Sequence, residues 1–384
     1  MHPQKTMDME SPFIYGKIAE NESFTDRVVE SAQLQQNFQN LINTIIISPR
    51  RWGKTSLVNK VLKHFSDNED FYVVHIDLFD CRNEEQFYTI FSKAVIKASN
   101  SRFDDFVASV KKYLGSFAPK ISLSDSIQPY DISFSVDFNN PDLSIDDILD
   151  LPQTIALEQK RKFVVCIDEF QNISNFNESI EFQRKLRAHW QRHSAVCYCL
   201  YGSKRHLLMN IFGNAEMPFF KFGDIMFLEK ISKIDWITFI TETFQRTGKQ
   251  INEDLVGNLV DLADAHPYYV QQLAQQVWLR TSDVCTREIL MDAFESLICQ
   301  LALLFSNIYD NLTTKQIRFL YAVVDGVENF SSKEVLKKYD LGTSANIKNL
   351  RNATLEKDLI DIRPGGRVVM QDPMFAHWLA TLRR

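Results

Sequence analysis

Hydrophobic residues fall in two patterns up to about residue 229, and in one pattern after it. The first pattern is a set of short, almost wholly apolar runs rich in β-branched residues: Thr44–Ile47, Phe71–Leu78, Phe163–Ile167, Ala195–Tyr201 and the shorter Ile225–Leu228. Strands covered on both faces read this way, because neither face needs polar side chains. The second pattern is helical spacing, as in Leu57, Val61, Leu62 and Phe65 after Thr55, and again through Glu84–Ala98. A further helix is predicted to start after Thr25 or Asp26, either of which can cap it. Buried strands separated by helices predict a parallel sheet with crossover connections. One stretch departs from this plan. Ile132, Phe134, Val136 and Phe138 are spaced by two, and Pro119, Pro129 and Pro141 punctuate the region, which predicts a hairpin inserted at about residues 119–142. The first ten or so residues are expected to form a mobile tail.

After Glu229 strand patterns nearly vanish, and residues 231–310 predict an all-helical domain. Three helices are then expected at about Thr314–Val324, Ser332–Tyr339 and Ser344–Lys357, followed by strands Leu359–Arg363 and Val368–Gln371 around Pro364-Gly365-Gly366. Three helices, then two strands around a glycine-rich turn, is a winged helix-turn-helix order. The expected organisation is therefore an α/β core over residues 1–230, a helical domain over 231–310 and a winged helix over 311–384.

Composition narrows the class. At 384 residues the chain is long for a single core, and 45% hydrophobic with 24% charged residues is the balance of a globular protein. No uninterrupted apolar run approaches the roughly 20 residues that span a bilayer, and the first residues lack the apolar segment of a secretion signal. No membrane partner is expected. The six cysteines show no metal-ligand spacing, and Cys166, Cys197 and Cys199 sit in strand-like runs. They read as small buried hydrophobes in a reducing, cytoplasmic setting. Net charge is −6, yet from Asn311 onward the balance is +4, against −10 for the rest. A nucleic-acid contact, if any, belongs to the C-terminal part.

The candidate chemistry begins at Ser48-Pro49-Arg50-Arg51-Trp52-Gly53-Lys54-Thr55, directly after the first predicted strand and opening an amphipathic helix. It matches a phosphate-binding loop except at its first position, where glycine is usual. Backbone N–H groups at a helix N-terminus favour phosphate. Gly53 permits close backbone approach, Lys54 is placed to neutralise β- and γ-phosphates, and the Thr55 hydroxyl to ligate Mg²⁺. The second motif, Phe163–Glu169, delivers two adjacent carboxylates at the end of a strand, where ligands gather in open α/β sheets. Asp168 is expected to hold Mg²⁺, and Glu169 to polarise the attacking water. After the fourth strand, Ser203 is placed to reach the γ-phosphate or the water, and Arg205 to stabilise developing charge. A turn at Gly202 with solvated basic residues after it is the structural alternative. Arg184, Arg187 and Arg192 read more simply as a solvated helix face.

These residues resemble the archaeal-type ATPase family, which also occurs in bacteria and is related to the AAA+ and STAND branches of P-loop NTPases. The resemblance rests on Phe24-Thr25-Asp26-Arg27 with Glu30, on Pro49 through Leu57 (including Ser56), and on Ile167-Asp168-Glu169-Phe170-Gln171. Gly202-Ser203, His266-Pro267-Tyr268-Tyr269 and Asp372-Pro373-Met374-Phe375 extend it over most of the chain. It implies that Phe24 to Arg27 lie against the adenine, that His266 and Pro267 sit in a helical lid, and that ATP with Mg²⁺ drives a conformational switch. From the residues alone, Pro267 simply starts a helix.

The resulting expectation is an ATP- and ADP-binding, Mg²⁺-dependent ATPase acting on an unidentified protein partner or on its own assembly. The alternative is an ATP-dependent DNA-binding protein that uses the winged helix, where Asn346, Lys348, Asn349, Arg351, Asn352 and Lys357 lie on the third helix and Arg363 and Arg367 flank the wing. A small-molecule kinase is less consistent with the sequence, because no acceptor pocket is legible.

Overall fold

The computed structural model describes residues 11–17, 27–100, 122–123, 132–133 and 144–383. Phe24, Thr25, Asp26 and most of the predicted hairpin lie outside the described residues. The chain divides into two compact units: one of residues 27–50 and 54–229, the other of residues 230–384 with the N-terminal stretch and residues 51–53.

The first unit is built on a five-stranded parallel sheet. Its elements run α1 (Val28–Gln39), β1 (Thr44–Ile47), α2 (Lys54–Ser66), β2 (Phe71–Asp77), α3 (Glu84–Ser99), the short strands β3 (Ser122–Leu123) and β4 (Ile132–Ser133), α4 (Ile145–Gln159), β5 (Lys162–Asp168), α5 (Ser179–Trp190), β6 (Val196–Gly202), α6 (Arg205–Gly213) and β7 (Asp224–Phe227). The sheet order is β2-β5-β6-β1-β7, with every neighbour parallel. β3 and β4 pair antiparallel at Ser122↔Ser133 and Leu123↔Ile132, which is the described part of the inserted hairpin. The fully apolar runs are explained by burial: β1 and β6 are buried at every position. Order matters for function here. The strand leading into the phosphate-binding loop and the strand ending in Asp168 both flank β6, so their carboxyl ends open on the same edge of the sheet.

The second unit contains α7 (Lys233–Arg246), α8 (Glu253–Leu262), α9 (Pro267–Arg280), α10 (Arg287–Asp310), α11 (Thr314–Val324), α12 (Lys333–Lys338), α13 (Ser344–Glu356), β8 (Ile360–Ile362), β9 (Val368–Met370) and α14 (Pro373–Thr381). β8 and β9 form an antiparallel wing whose turn holds Gly365 and Gly366 at φ of 83° and 81°. One continuous apolar core runs from Trp236 in α7 to Leu379 in α14. The described N-terminal stretch joins this core, since Phe13 is 1% exposed and packs against Phe239 and Phe244; the first ten residues, expected as a tail, lie outside the described residues.

Helix α10 is apolar without being an uninterrupted apolar run. With 24 residues, and a mean hydropathy of 1.6 over an 18-residue window, it is the one helix among the described residues long and apolar enough to cross a membrane by length and composition. Only 22% of that window is buried, with Leu303 and Leu304 exposed, while Leu290, Ala293, Phe294, Leu297 and Phe305 face the core. Interspersed Asp292 and Glu295 hide this in a search for uninterrupted apolar runs.

Candidate functional site

Six residues separate β1 from α2, the stretch in which the phosphate-binding motif is expected. Arg51 adopts φ 63° and Gly53 φ 86°, both left-handed. Nothing lies within 4 Å of a Cβ built on Gly53, so the positive φ, not crowding, selects glycine in this structure. Ser48, which departs from the motif, is absent from the left-handed positions, so its Cβ meets no backbone strain. It is 1% exposed and its Oγ donates to the Pro49 carbonyl at 3.2 Å. Pro49 is buried beside it and Arg50 is exposed.

Lys54 opens α2. It is 6% exposed, and its Nζ donates to the carbonyls of Ser48 (3.3 Å) and Pro49 (2.9 Å). Burial pushes its pKa down to about 8, partly opposed by the negative charges of Asp168 and Glu169. Ser56, the third residue of the helix, is buried.

Thr55 meets Asp168 across the sheet edge: its Oγ1 donates to Asp168 Oδ2 at 3.0 Å. The other carboxylate oxygen, Oδ1, accepts the Glu169 backbone N–H at 2.8 Å. Burial raises the Asp168 pKa, while these two hydrogen bonds and the nearby Lys54 ammonium oppose that shift. The donor set here is a hydroxyl and a carboxylate, hard oxygen ligands of the kind Mg²⁺ takes alongside nucleotide phosphates. Among the described residues no group of three or more His, Cys, Asp or Glu side chains is arranged to hold a metal ion.

Glu169 follows in the left-handed conformation, φ 52°. Its Oε2 accepts from Ser203 Oγ at 2.9 Å and from the Ser203 N–H at 3.4 Å, and also from Gln171 Nε2. Ser203 lies just past β6, so strand pairing of β5 with β6 sets this contact. Arg205, the first residue of α6, has its guanidinium 5.9 Å from the Phe227 ring centroid. Gln171 was visible in sequence as the residue two places after Glu169, without a role. Its burial and its bond to the carboxylate are tertiary facts.

The arginines in and just after α5 have structural partners: Arg184 pairs with Glu181, Arg187 donates to the Phe220 carbonyl at 3.3 Å and covers Phe222, and Arg192 reaches His189. Arg27 is the N-cap of α1, 4% exposed, and pairs with Glu30 at 2.8 Å.

In the second unit, His266 caps α9 and Pro267 takes its first position, as the proline-start preference predicts. His266 is 6% exposed, its Nδ1 is buried without a hydrogen-bond partner, and burial aided by the Arg51 charge pushes its pKa down to about 4. Trp52, grouped in the same unit, lies edge-on to its ring at 6.4 Å, and the Arg51 guanidinium sits 4.5 Å from the Tyr268 ring centroid.

Comparison with known proteins fits this geometry. A family profile described as a probable winged helix domain matches residues 303–381. The Walker-type ATPase PABY2304 of Pyrococcus abyssi is similar in structure, with TM-score 0.65 at 16% identity over 94% of this chain and 97% of that one. The ORC2 protein of Aeropyrum pernix is similar too: TM-score 0.55 at 12% identity, over 96% and 98%, in its ADPNP-ADP complexes. Its ADP form gives TM-score 0.50 at 12% identity, over 94% and 96%. No curated protein matches the sequence. The chain thus shares the P-loop ATPase fold of these structures, with a winged helix domain in its C-terminal part.

Proposed function

We propose that this chain is a Mg²⁺-dependent ATPase that works as a conformational switch on a partner protein or on its own assembly. The observation that supports it best is the Thr55–Asp168 hydrogen bond, 3.0 Å long between residues 113 positions apart, beside a buried Lys54. A lysine, a hydroxyl and two carboxylates converging at the carboxyl edge of a parallel sheet suit a triphosphate and a hard cation.

In this reading the N–H groups of residues 50–55 and the Lys54 ammonium bind the phosphates, Pro49 to Ser56 shape the loop, and Thr55 and Asp168 would hold Mg²⁺. The cation, when bound, supplies charge neutralisation across the β- and γ-phosphates. Glu169 orients the attacking water and accepts its proton, while Ser203 fixes the Glu169 carboxylate and Arg205 faces the developing charge. Phe24 and Arg27 would line the adenine, and His266 with Pro267 would close over the nucleotide from the helical segment 231–310. We keep 311–384 as a separate winged-helix segment in function, although its core is continuous with the helices before it. The five buried, unpaired cysteines suit the cytoplasm, the setting we assign.

The test is direct. Lys54→Ala should abolish nucleotide binding or weaken it by at least about 100-fold, the loss of a charged hydrogen-bond partner to phosphate. Glu169→Gln should bind ATP normally and release phosphate at least about 100 times more slowly, the usual contribution of a general base. Wild-type turnover by Glu169→Gln would remove Glu169 from the chemistry.

A second reading has its own observation. Helix α13 exposes Lys348, Asn349 and Asn352, and Arg367 of the wing is exposed as well. That surface suits phosphate and base-edge contacts on duplex DNA.

A further inference from the structure

The motif residue left without a role above is Gln171. It sits in the short 3-10 turn Phe170–Asn175 that follows β5, and is 1% exposed. Its Nε2 donates to Glu169 Oε2, the oxygen that also accepts from Ser203. The carboxylate can only accept, so this contact fixes the orientation of the Gln171 amide. Its Oε1 is then turned inward, buried and without a hydrogen-bond partner.

The opposite wall is glycine for a visible reason. A Cβ on Gly202 would stand 1.8 Å from Gln171 Oε1 and 2.9 Å from its Cδ. Gly202 is outside the left-handed region, so its backbone does not demand glycine. The missing side chain is the space that the Gln171 amide occupies. Two neighbouring strands thus contribute a matched pair, an amide from beyond β5 and a void at the end of β6.

Among the described residues, the donors to Glu169 converge on Oε2. Among the described residues Oε1 receives none, and Glu169 itself is only half-buried. We infer that Gln171 is a positioning residue: with Ser203 it ties down one carboxylate oxygen of Glu169, leaves the other for the attacking water, and depends on the void at Gly202 to do so. This rests on the ATPase reading of the site. Gln171 acts through Glu169 and touches no reacting atom.

Tying down one oxygen restricts the carboxylate to one rotamer, and orientation of a general base enters the rate of the chemical step more than the affinity for the nucleotide. Gln171→Met keeps the volume and removes the donor. It should lower kcat of ATP hydrolysis at least about 10-fold with KM within about twofold of wild type, the signature of an interaction that matters only in the transition state. Gly202→Ala should do the same by evicting the amide. If either variant unfolds, Gln171→Glu offers a third substitution of nearly equal size, and its like charge beside Glu169 should lower kcat further.

The decisive measurement is the cycle of Gln171→Met with Glu169→Gln. Once Glu169 is gone, removing Gln171 should cost nothing more in kcat. Two outcomes overturn the inference. One is a wild-type kcat for Gln171→Met. The other is a loss fully additive to that of Glu169→Gln. Should Lys54→Ala leave ATP binding intact, or Glu169→Gln leave turnover intact, the underlying ATPase assignment fails instead.

Discussion

Lys54 carries the sharpest consequence at the scale of single residues. In the free protein its ammonium is buried against two loop carbonyls and its pKa is pushed down to about 8. Bound phosphates would stabilise the charged form, so the pKa in the complex rises above that of the free protein. The charge contribution to binding is therefore full below pH 8 and fades as pH climbs through the bound-state value. Binding of MgATP at pH 9 should take up close to one proton, and at pH 7 about a tenth of one, on the proton linkage that a pKa near 8 dictates. Calorimetry in buffers of different ionisation heat measures this, and Lys54→Arg should abolish the uptake. No uptake at pH 9 in the wild type would mean that Lys54 does not meet the phosphates. The loop residues around it were readable in sequence because each is constrained chemically. Gly53 needs a left-handed φ and Thr55 a hydroxyl. Ser48 could be judged only from the backbone, where its ordinary φ makes glycine unnecessary. Gln171 and Gly202 explain each other, and neither explains itself.

At the scale of elements, periodicity located the strands and helices for which it set bounds in the sheet and the winged segment to within a residue or two, whereas α1 has Arg27 as its N-cap and not the expected Thr25 or Asp26. The third strand is expected at Phe163–Ile167 and is Lys162–Asp168; the first three helices of the winged segment differ by at most one residue at each end, while the last, α14, has no counterpart in the sequence expectations. Such agreement follows from local chemistry. Thr313 and Gln316 form a reciprocal capping box at the start of α11, satisfying two otherwise orphaned N–H groups. Thr313→Ala should destabilise α11 by about 1 kcal/mol, the usual cost of losing such a cap. Amide hydrogen exchange across residues 314–324 in the intact protein should then speed up about fivefold, with β1 and β6 unchanged; uniform exchange would show that the cap does not limit local opening. Helix α10 serves two segments. Its first half packs into the helical segment and its second half into the winged helix, where Phe305 meets Phe375 and Trp378, and Tyr309 meets Trp378. The winged-helix match starts at residue 303, inside this helix.

At the scale of the whole molecule, two motif stretches far apart in the chain turn out to be joined. The Tyr269 hydroxyl, in α9, donates to the Asp372 carboxylate, which also caps α14 by accepting the N–H groups of Met374 and Phe375. The winged helix is thereby tied to the helices before it within one unit. Its DNA reading has a test suited to this level. If α13 and the wing meet a duplex, affinity should fall steeply with salt, and Lys348→Glu with Arg367→Glu should weaken binding at least about 10-fold, the effect of reversing two phosphate contacts. Arg351 is a poorer probe, since it is half-buried with its Nε enclosed. No retention of duplex DNA at low salt would leave the switch reading alone. The sequence by itself determined the strands, the helices, the phosphate-binding loop and the carboxylate pair, because β-branched runs, 3.6-residue periodicity, caps and the needs of phosphate and metal are all imposed within a few consecutive residues. Tertiary structure alone decided that Thr55 reaches Asp168, that Ser203 and Gln171 share one oxygen of Glu169, and that Phe13 and α10 serve the second unit's core. Those facts depend on which strands lie side by side and which faces close together, and such long-range pairings leave no periodic trace in the chain.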